Sequence, residues 1–222
     1  IQLSEDGKDQ IIKEFAKTTV PVSYCILIDT SGSFRSLLPK TIEFAKLIAF
    51  NNSSGDETCL IRFTASDQIQ KVSDFTSDKQ AIIQSLDGLK TLPGQSAVID
   101  AIYAATQYTA KHSGLVPNRR RAVVLVSDGE DRKSYYKEKD LINLLRENDV
   151  QVFVLGITDQ LDDVGGLIRR APRQNAEALL ERVAEESGGR VFRLRSKESF
   201  NKAAEEIVHD LHTQYVIGYE RA

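Results

Sequence analysis

Short apolar runs alternate with longer segments of helical periodicity along most of this chain. The apolar runs predict strands over 22–29, 58–65, 69–75, 121–127, 150–157 and 190–194. The periodic segments predict helices over 35–50, 78–88, 96–113, 135–148, 174–187 and 196–210. This alternation is typical of repeated βα units. We therefore predict an α/β fold: a doubly wound, mostly parallel central sheet with helices on both faces. The short step from the second strand to the third predicts one antiparallel edge strand.

Both ends of the chain depart from this alternation. Asp6-Gly7 favours the positive backbone angles of a tight turn and lies between two strand-like segments, 1–5 and 10–15. This pattern predicts an N-terminal β-hairpin. A further strand is predicted at 214–219, directly after the last helix, with the hairpin as its candidate partner. The predicted organisation is an N-terminal hairpin extension over 1–20, a main domain over 21–212 and a C-terminal strand extension over 213–222.

Composition and charge exclude several classes of protein. The 222 residues are 41% hydrophobic and 27% charged, which suits one globular domain with a sizeable core. A net charge of -3 and a pI near 5.7 give no electrostatic case for binding nucleic acid or an anionic membrane. No apolar stretch approaches the ~18 residues of a membrane span, so we expect no direct membrane insertion. The triplet Arg119-Arg120-Arg121 is interpreted as a solvated entry to a strand.

The two cysteines, Cys25 and Cys59, both fall inside predicted central strands. This position favours buried free thiols over a disulfide. The chain contains no methionine and opens with Ile1, which is typical of a fragment from which any targeting segment has been lost.

Candidate chemistry begins directly after the first central strand, with Asp29-Thr30-Ser31-Gly32-Ser33. Ligands of doubly wound sheets bind at the carboxyl ends of such strands. Carboxylate and hydroxyl oxygens suit a hard divalent cation such as Mg²⁺, whereas zinc sites of the structural kind use thiolates and imidazoles. The segment therefore predicts one part of a magnesium site.

Two further loops have matching chemistry. Gly94-Gln95-Ser96-Ala97 introduces a predicted helix, and Ser127-Asp128-Gly129 ends a predicted buried strand. Either Ser31 or Ser96 alone could be an ordinary helix cap. The combination of three oxygen-rich loops instead predicts a metal site formed by Asp29, Ser31, Ser33, Ser96 and Asp128.

These motifs resemble those of the von Willebrand factor A domains over about 200 residues. The metal-ion-dependent adhesion site of that family has the pattern Asp-x-Ser-x-Ser, then a Thr in a later loop, then an Asp that usually precedes Gly. Asp29, Ser31 and Ser33 match the first motif, and Asp128 matches the last. The middle loop departs from the pattern because Ser96 stands where the family usually has Thr. Serine keeps the hydroxyl, but its rotamer is less restrained, which affects the expected affinity of the site.

The resemblance implies how the site would work. Ser31 and Ser33 would bind Mg²⁺, or Mn²⁺ or Ca²⁺, directly, while Asp29 and Asp128 would act directly or through water. Ser96 would enter or leave the coordination shell with the ligand state. An open coordination position would accept an acidic side chain from a protein partner. The implied function is a metal-dependent protein-binding module for adhesion or scaffolding, and not an enzyme.

A narrower resemblance is to the bacterial "VWFA-related" proteins. It rests on the segments Glu5-Asp6-Gly7-Lys8-Asp9-Gln10-Ile11, Ser127-Asp128-Gly129-Glu130-Asp131-Arg132, Ser187-Gly188-Gly189-Arg190 and Gln214-Tyr215-Val216-Ile217-Gly218-Tyr219. Members of that group look like exported envelope proteins. The resemblance implies an extracytoplasmic, secreted or cell-envelope location.

Two alternatives stay open at the level of sequence. One is a Mg²⁺-dependent hydrolase or phosphoryl-transfer enzyme, since doubly wound folds host many chemistries. His112, His209 and His212 fall in or beside helices, away from the predicted site, and no phosphate-binding glycine loop is present. The other is a scaffold that keeps the fold and binds no divalent metal. The sequence predicts neither the partner's identity nor the oligomeric state.

Overall fold

The structure is a computed structural model that describes residues 2–113, 119–156, 170–193 and 197–220. The strands are β1 (Ser4–Glu5), β2 (Lys8–Asp9), β3 (Ile11–Thr19), β4 (Val22–Asp29), β5 (Glu57–Phe63), β6 (Ile69–Thr76), β7 (Arg120–Ser127), β8 (Gln151–Gly156), β9 (Arg190–Arg193) and β10 (Thr213–Glu220). The helices are α1 (Leu38–Phe50), α2 (Lys79–Asp87), α3 (Val98–Ser113), α4 (Glu138–Asn148), α5 (Arg170–Glu186) and α6 (Lys197–His212). A short 3₁₀ helix, Gly32–Phe34, precedes α1.

Six strands form the central sheet in the order β6-β5-β4-β7-β8-β9. All neighbours are parallel except β6, which runs antiparallel to β5 at one edge. The predicted fold class is therefore confirmed. Every residue of β4 is buried, which explains why its sequence is mostly apolar. Chain order reverses between β4 and β7, and the crevice at such a switch point is where open α/β sheets bind ligands.

Helices cover both faces of this sheet. The face with α1, α2 and α6 packs around residues such as Ile26, Phe44 and Ile207. The opposite face, with α3, α4 and α5, buries Leu27 and Ile102 among others. Among the described residues, no helix is long and apolar enough to cross a membrane.

Cys25 and Cys59 are register partners on β4 and β5, and both are buried free thiols, as predicted. Burial raises the pKa of the Cys59 thiol well above its ordinary value, because the thiolate would lose its hydration.

The ends of the chain form two small sheets of their own. β1 and β2 pair as a hairpin around Asp6 and Gly7, which have φ angles of 51° and 77°. β10 pairs antiparallel with β3, the longer strand that follows the hairpin, and the rings of Phe15 and Tyr215 stack at 5.4 Å. The partner of the C-terminal strand is therefore β3 and not the hairpin itself, and the predicted second arm over 10–15 lies mostly in β3 instead of the hairpin. The domain boundaries at 20/21 and 212/213 stay predictions.

The predicted helix over 35–50 begins three residues late. Residues 32–34 form the 3₁₀ helix, and α1 starts at Leu38 with Pro39 in its first turn, where a missing N–H costs nothing. The predicted strand ends at 157 and 194 and the predicted helix start at 196 lie outside the described residues.

The arginine triplet lies at the entry to β7, as predicted, but the expectation that its side chains are solvated is wrong for Arg119 and Arg120. Arg119 has a side chain only 9% exposed, and its Nε donates to the Ser23 hydroxyl at 2.7 Å. Arg120 donates to the carbonyl oxygens of Asp210, Leu211 and Thr213, where α6 ends. Helix C-termini leave carbonyl groups without intrahelical donors, so a cation at the start of β7 satisfies them.

Candidate metal centre

The loop after β4 begins the site. Asp29 is fully buried, and its Oδ1 accepts a hydrogen bond from the Ser31 backbone N–H at 2.9 Å. Ser31 lies at the N-cap position of the 3₁₀ helix, but its side chain makes no capping hydrogen bond. Its Oγ lies instead 3.1 Å from the Oγ of Ser33, which is exposed. The loop therefore directs two serine hydroxyls to the same place.

Ser96 joins this loop from the segment before α3. Its Oγ donates to Asp29 Oδ2 and to Ser31 Oγ, each at 3.0 Å. Ser96 is 4% exposed, and its carbonyl oxygen accepts the Arg132 backbone N–H at 2.9 Å. The helix-cap interpretation of Ser31 and Ser96 is thus excluded, because both hydroxyls point into the site.

The end of β7 supplies the second carboxylate. Asp128 is 3% exposed, and its Oδ1 accepts the Glu130 backbone N–H at 3.1 Å. Sequence reasoning missed the preceding residue, Ser127, whose hydroxyl donates to Asp29 Oδ2 at 3.2 Å. The Ser127 hydroxyl also accepts the N–H of Gly129 at 3.0 Å and so fixes the turn after Asp128. The sequence signal that could have identified Ser127 is its position at the strand end, directly before Asp128.

Threonine side chains tie the β4 loop to β5. The Thr30 hydroxyl donates to the Phe63 carbonyl at 3.0 Å and lies 3.1 Å from the Thr64 hydroxyl. Both threonines are fully buried. The Thr30 side chain therefore points away from the metal centre and helps to position its neighbours Asp29 and Ser31. Thr64 is a second residue that sequence reasoning missed.

The electrostatics of the site are those of an excess of buried negative charge. Burial raises the pKa of Asp29, although hydrogen bonds from Ser31, Ser96 and Ser127 oppose the shift. Burial, and then repulsion from the Asp29 carboxylate, raise the pKa of Asp128 to about 7. Two carboxylates are therefore held together, and among the described residues neither has an ion pair of its own. A cation would relieve this repulsion.

The chemistry of the donors fits a hard metal ion. Within the described part of the chain, no three His, Cys, Asp or Glu side chains gather in a way that could hold a metal. The ligands available at this site are instead three serine hydroxyls and two carboxylates. An all-oxygen set with few charges is the kind that Mg²⁺ accepts while it keeps some of its water.

None of the three histidines takes part in the site. His112 Nε2 lies 2.9 Å from Glu57 Oε2, and His212 Nε2 lies 2.6 Å from Asp56 Oδ2. Glu57 is the first residue of β5, so these pairs lie at the amino ends of the parallel strands, whereas the metal centre lies at their carboxyl ends. The Asp56 carboxylate raises the pKa of His212, and His212 in turn helps to lower the pKa of Asp56 against the effect of burial.

Comparisons with known proteins agree with this fold. The family model described as the von Willebrand factor type A domain matches residues 25–206. A search of curated protein sequences gives no significant match.

Several solved structures share the fold at low sequence identity. An aerotolerance-related membrane protein from Bacteroides fragilis, solved with multiple mutations to serines, superposes with a TM-score of 0.65 at 21% identity, over 85% of this chain and 99% of its own. A von Willebrand factor type A protein from Catenulispora acidiphila gives 0.64 at 14% identity, over 95% of this chain and 52% of its own.

A third structure is proximal thread matrix protein 1 from the mussel byssus with a zinc-occupied MIDAS motif. It gives a TM-score of 0.65 at 17% identity, over 94% of this chain and 50% of its own. At these identities the three likenesses establish the fold, whereas the family model covers most of the sequence. The chain belongs to the von Willebrand factor type A domain family.

Proposed function

We propose that this chain is a divalent-metal-dependent protein-binding module, in which Asp29, Ser31, Ser33, Ser96 and Asp128 hold Mg²⁺ and the site captures an acidic side chain of a partner protein. Domains of this family are commonly metal-dependent interaction modules and are generally not enzymes. The observation that carries the proposal is the convergence of three serine hydroxyls beside two buried carboxylates. The Ser31 Oγ lies 3.1 Å from the Ser33 Oγ and 3.0 Å from the Ser96 Oγ.

The residues divide between positioning and binding. Both oxygens of Asp29 already accept hydrogen bonds, from the Ser31 N–H on one side and from the Ser96 and Ser127 hydroxyls on the other. Asp29 therefore acts mainly by orienting the hydroxyls and by its charge. Ser31, Ser96 and Asp128 are the binding groups on the buried side of the site.

The exposed side of the site is where a partner would arrive. Ser33 is exposed, whereas the other four residues are buried, so the site opens toward solvent at the 3₁₀ helix. When bound, Mg²⁺ supplies positive charge and an exchangeable coordination position that a carboxylate can occupy. Mn²⁺ and Ca²⁺ offer the same oxygen preference.

The proposed location is extracytoplasmic, secreted or in the cell envelope. It rests on the resemblance to exported bacterial proteins and on the Bacteroides fragilis relative, which is described as a membrane protein. The partner is proposed to be a protein, and its identity is left open.

The metal is tested by thermal unfolding in a titration with Mg²⁺ and Mn²⁺ after chelation. A metal at 100 times its dissociation constant should stabilise the fold by ~2.7 kcal/mol. Asp128→Ala should abolish this gain. The matched control is Asp67→Ala, because Asp67 is exposed in the loop after β5, at the same edge of the sheet. If neither metal shifts the wild-type unfolding temperature, the proposal fails.

The binding function is tested separately from the metal. Short peptides that contain one Asp should bind the wild type in Mg²⁺ and lose binding in chelator, and Ser31→Ala should weaken them. Ser85→Ala is the control, because the Ser85 hydroxyl bonds only within α2, to the Ala81 carbonyl at 2.8 Å. Turnover of a phosphoester panel in Mg²⁺ would instead favour the enzymatic alternative.

A further inference from the structure

A cavity of about 460 Å³ lies beside the metal centre, between the loop after β7, the first turns of α3 and α4, and α5. Its most buried lining side chains are apolar: Ile99, Ala176 and Leu179 are each no more than 9% exposed. The volume lies in the range of ligand-binding pockets, which are ~300–1,000 Å³. The cavity is thus large enough for a bulky side chain from a partner.

The cavity and the metal centre share one wall, the strip of residues 129–132. Gly129 lines the cavity and directly follows Asp128. The backbone N–H of Arg132, another lining residue, donates to the Ser96 carbonyl at 2.9 Å. Asp131 fixes the strip to α3, because its Oδ1 accepts the Ile99 N–H at 3.1 Å. The cavity therefore borders the metal centre along this strip.

Both arginines that line the cavity are paired with carboxylates of the lining, whereas Asp131 accepts hydrogen bonds from the Ile99 N–H and the Ser134 hydroxyl. Arg182 makes a two-pronged ion pair with Glu138, with Nη2 2.9 Å from Oε2. Arg132 pairs with Glu130 through one nitrogen, Nη2. A carboxylate of a ligand would have to displace Glu130 or Glu138 from its arginine to find a counter-ion. The lining therefore selects against a second acidic side chain.

The same ion pairs favour an aromatic ring. Arg132 and Arg182 are about half exposed, with side-chain exposures of 49% and 56%. In-plane hydrogen bonds to a carboxylate use the edge of a guanidinium group and leave its flat faces free to stack on a ring. The apolar side chains of Ile99, Ala176 and Leu179 belong to the same lining, and Asn175 adds a carboxamide that can meet a phenol hydroxyl.

We propose that this cavity is a specificity subsite for an aromatic side chain, of the tyrosine or phenylalanine type, that lies next to the metal-binding acidic residue in the partner's sequence. This inference rests on the proposed function and names the class of peptide which that function selects. An extended chain advances ~3.3–3.6 Å per residue, so the neighbouring residue and the next but one lie within ~7 Å of the metal-bound residue along the chain.

The probes are capped tetrapeptides, Gly-Asp-X-Gly and Gly-X-Asp-Gly, with Tyr, Phe, Leu, Lys or Gly at X. Their affinities are measured by NMR titration of the wild type in Mg²⁺. The Tyr and Phe peptides in at least one of the two orders should bind roughly 3- to 10-fold tighter than the Gly and Lys peptides. Equal affinity across the five residues in both orders would overturn the subsite.

Two variants locate the effect. Ala178→Trp fills the cavity from α5 and should remove the aromatic preference while leaving Mn²⁺ stabilisation intact. Glu185→Trp, an exposed position on the same helix outside the cavity, is the control. Arg182→Lys keeps the charge but loses the flat face and should weaken the Tyr peptide more than the Gly peptide. Arg146→Lys, whose arginine pairs with Glu186 on the outer surface, should have no such effect.

Failure of this inference is distinguishable from failure of the proposed function. If the Asp peptides bind in a Mg²⁺-dependent way but without preference at X, the metal site stands and the subsite does not. If no Asp peptide binds, or binding survives chelation and Asp128→Ala, both are overturned. A preference for Tyr that persists in Ala178→Trp would place the aromatic contact elsewhere and refute the subsite.

Discussion

Asp128→Asn should change the stability of the domain in opposite directions with and without metal. In the metal-free protein the Asp128 carboxylate is 3% exposed, and desolvation together with the Asp29 charge raises its pKa to about 7. A raised carboxyl pKa means that the folded state binds the proton more tightly than the unfolded chain. The stability that this group contributes is full below its ordinary pKa of 3.8 and is lost as the pH rises to about 7.

The size of the effect follows from that difference. A change from 3.8 to about 7 corresponds to ~4 kcal/mol as an upper limit at pH 8. Asparagine removes the charge and keeps the oxygen that accepts the Glu130 N–H, but it buries a new N–H₂ group at a cost of ~1–3 kcal/mol. The expected net gain in chelator at pH 8 is therefore ~1–3 kcal/mol, and at pH 4, where the wild-type carboxyl is protonated, the variant should be no more stable than the wild type.

Thermal unfolding at pH 4 and pH 8 measures this effect, at about 2–4 °C per kcal/mol for a chain of this size. In saturating Mg²⁺ the order should reverse, because the wild type gains binding energy that the variant lacks. Asp67→Asn is the control for loss of an exposed charge. A variant that is no more stable than the wild type at pH 8 in chelator would refute the argument of buried repulsion.

Three further predictions concern affinity, pH and rigidity. Ser96→Thr restores the residue usual in the family and should tighten Mn²⁺ by ~0.5 kcal/mol, because it has fewer rotamers to fix; equal or weaker binding by calorimetry would show a loop adapted to serine. His212→Gln should destabilise the fold more at pH 6 than at pH 9. The Asp56 carboxylate raises the pKa of His212, and the stabilisation is lost as the pH rises through that raised value. An equal loss of stability at both pH values in urea denaturation would contradict this prediction. Hydrogen exchange over 197–220 should change little when Mg²⁺ and a carboxylate bind, because Arg120 and the pairing of β10 with β3 hold the end of α6; strong deprotection there would refute the prediction of a rigid module.

The sequence predicted the central sheet because its strands are buried on both sides. Burial of this kind favours a nearly continuous apolar run, and β4 has one from Tyr24 to Ile28. The turn of the N-terminal hairpin was equally readable, since Asp6 and Gly7 adopt the positive φ angles that their types favour. Both predictions rest on patterns among residues that are neighbours in the sequence.

The loops of the candidate site could also be predicted, but not their mutual contacts. The sequence identified Asp29, Ser31, Ser33, Ser96 and Asp128 by residue type and by position at predicted strand or helix ends. Tertiary structure brought Ser96 to within 3.0 Å of residues more than 60 positions earlier in the chain.

Three features depended on tertiary structure throughout. Ser127 and Thr64 became visible as parts of the site only through contacts with Asp29 and Thr30. The cavity beside the site exists because α5 packs over the loop after β7.

Arg120 is the clearest example. A run of charged residues is expected to be solvated unless polar groups from a distant part of the chain pair with it. Here the unsatisfied carbonyl groups at the end of α6, some 90 residues later, accept its hydrogen bonds. Local sequence determines which groups need partners, whereas packing of segments far apart in the chain decides which partners they find.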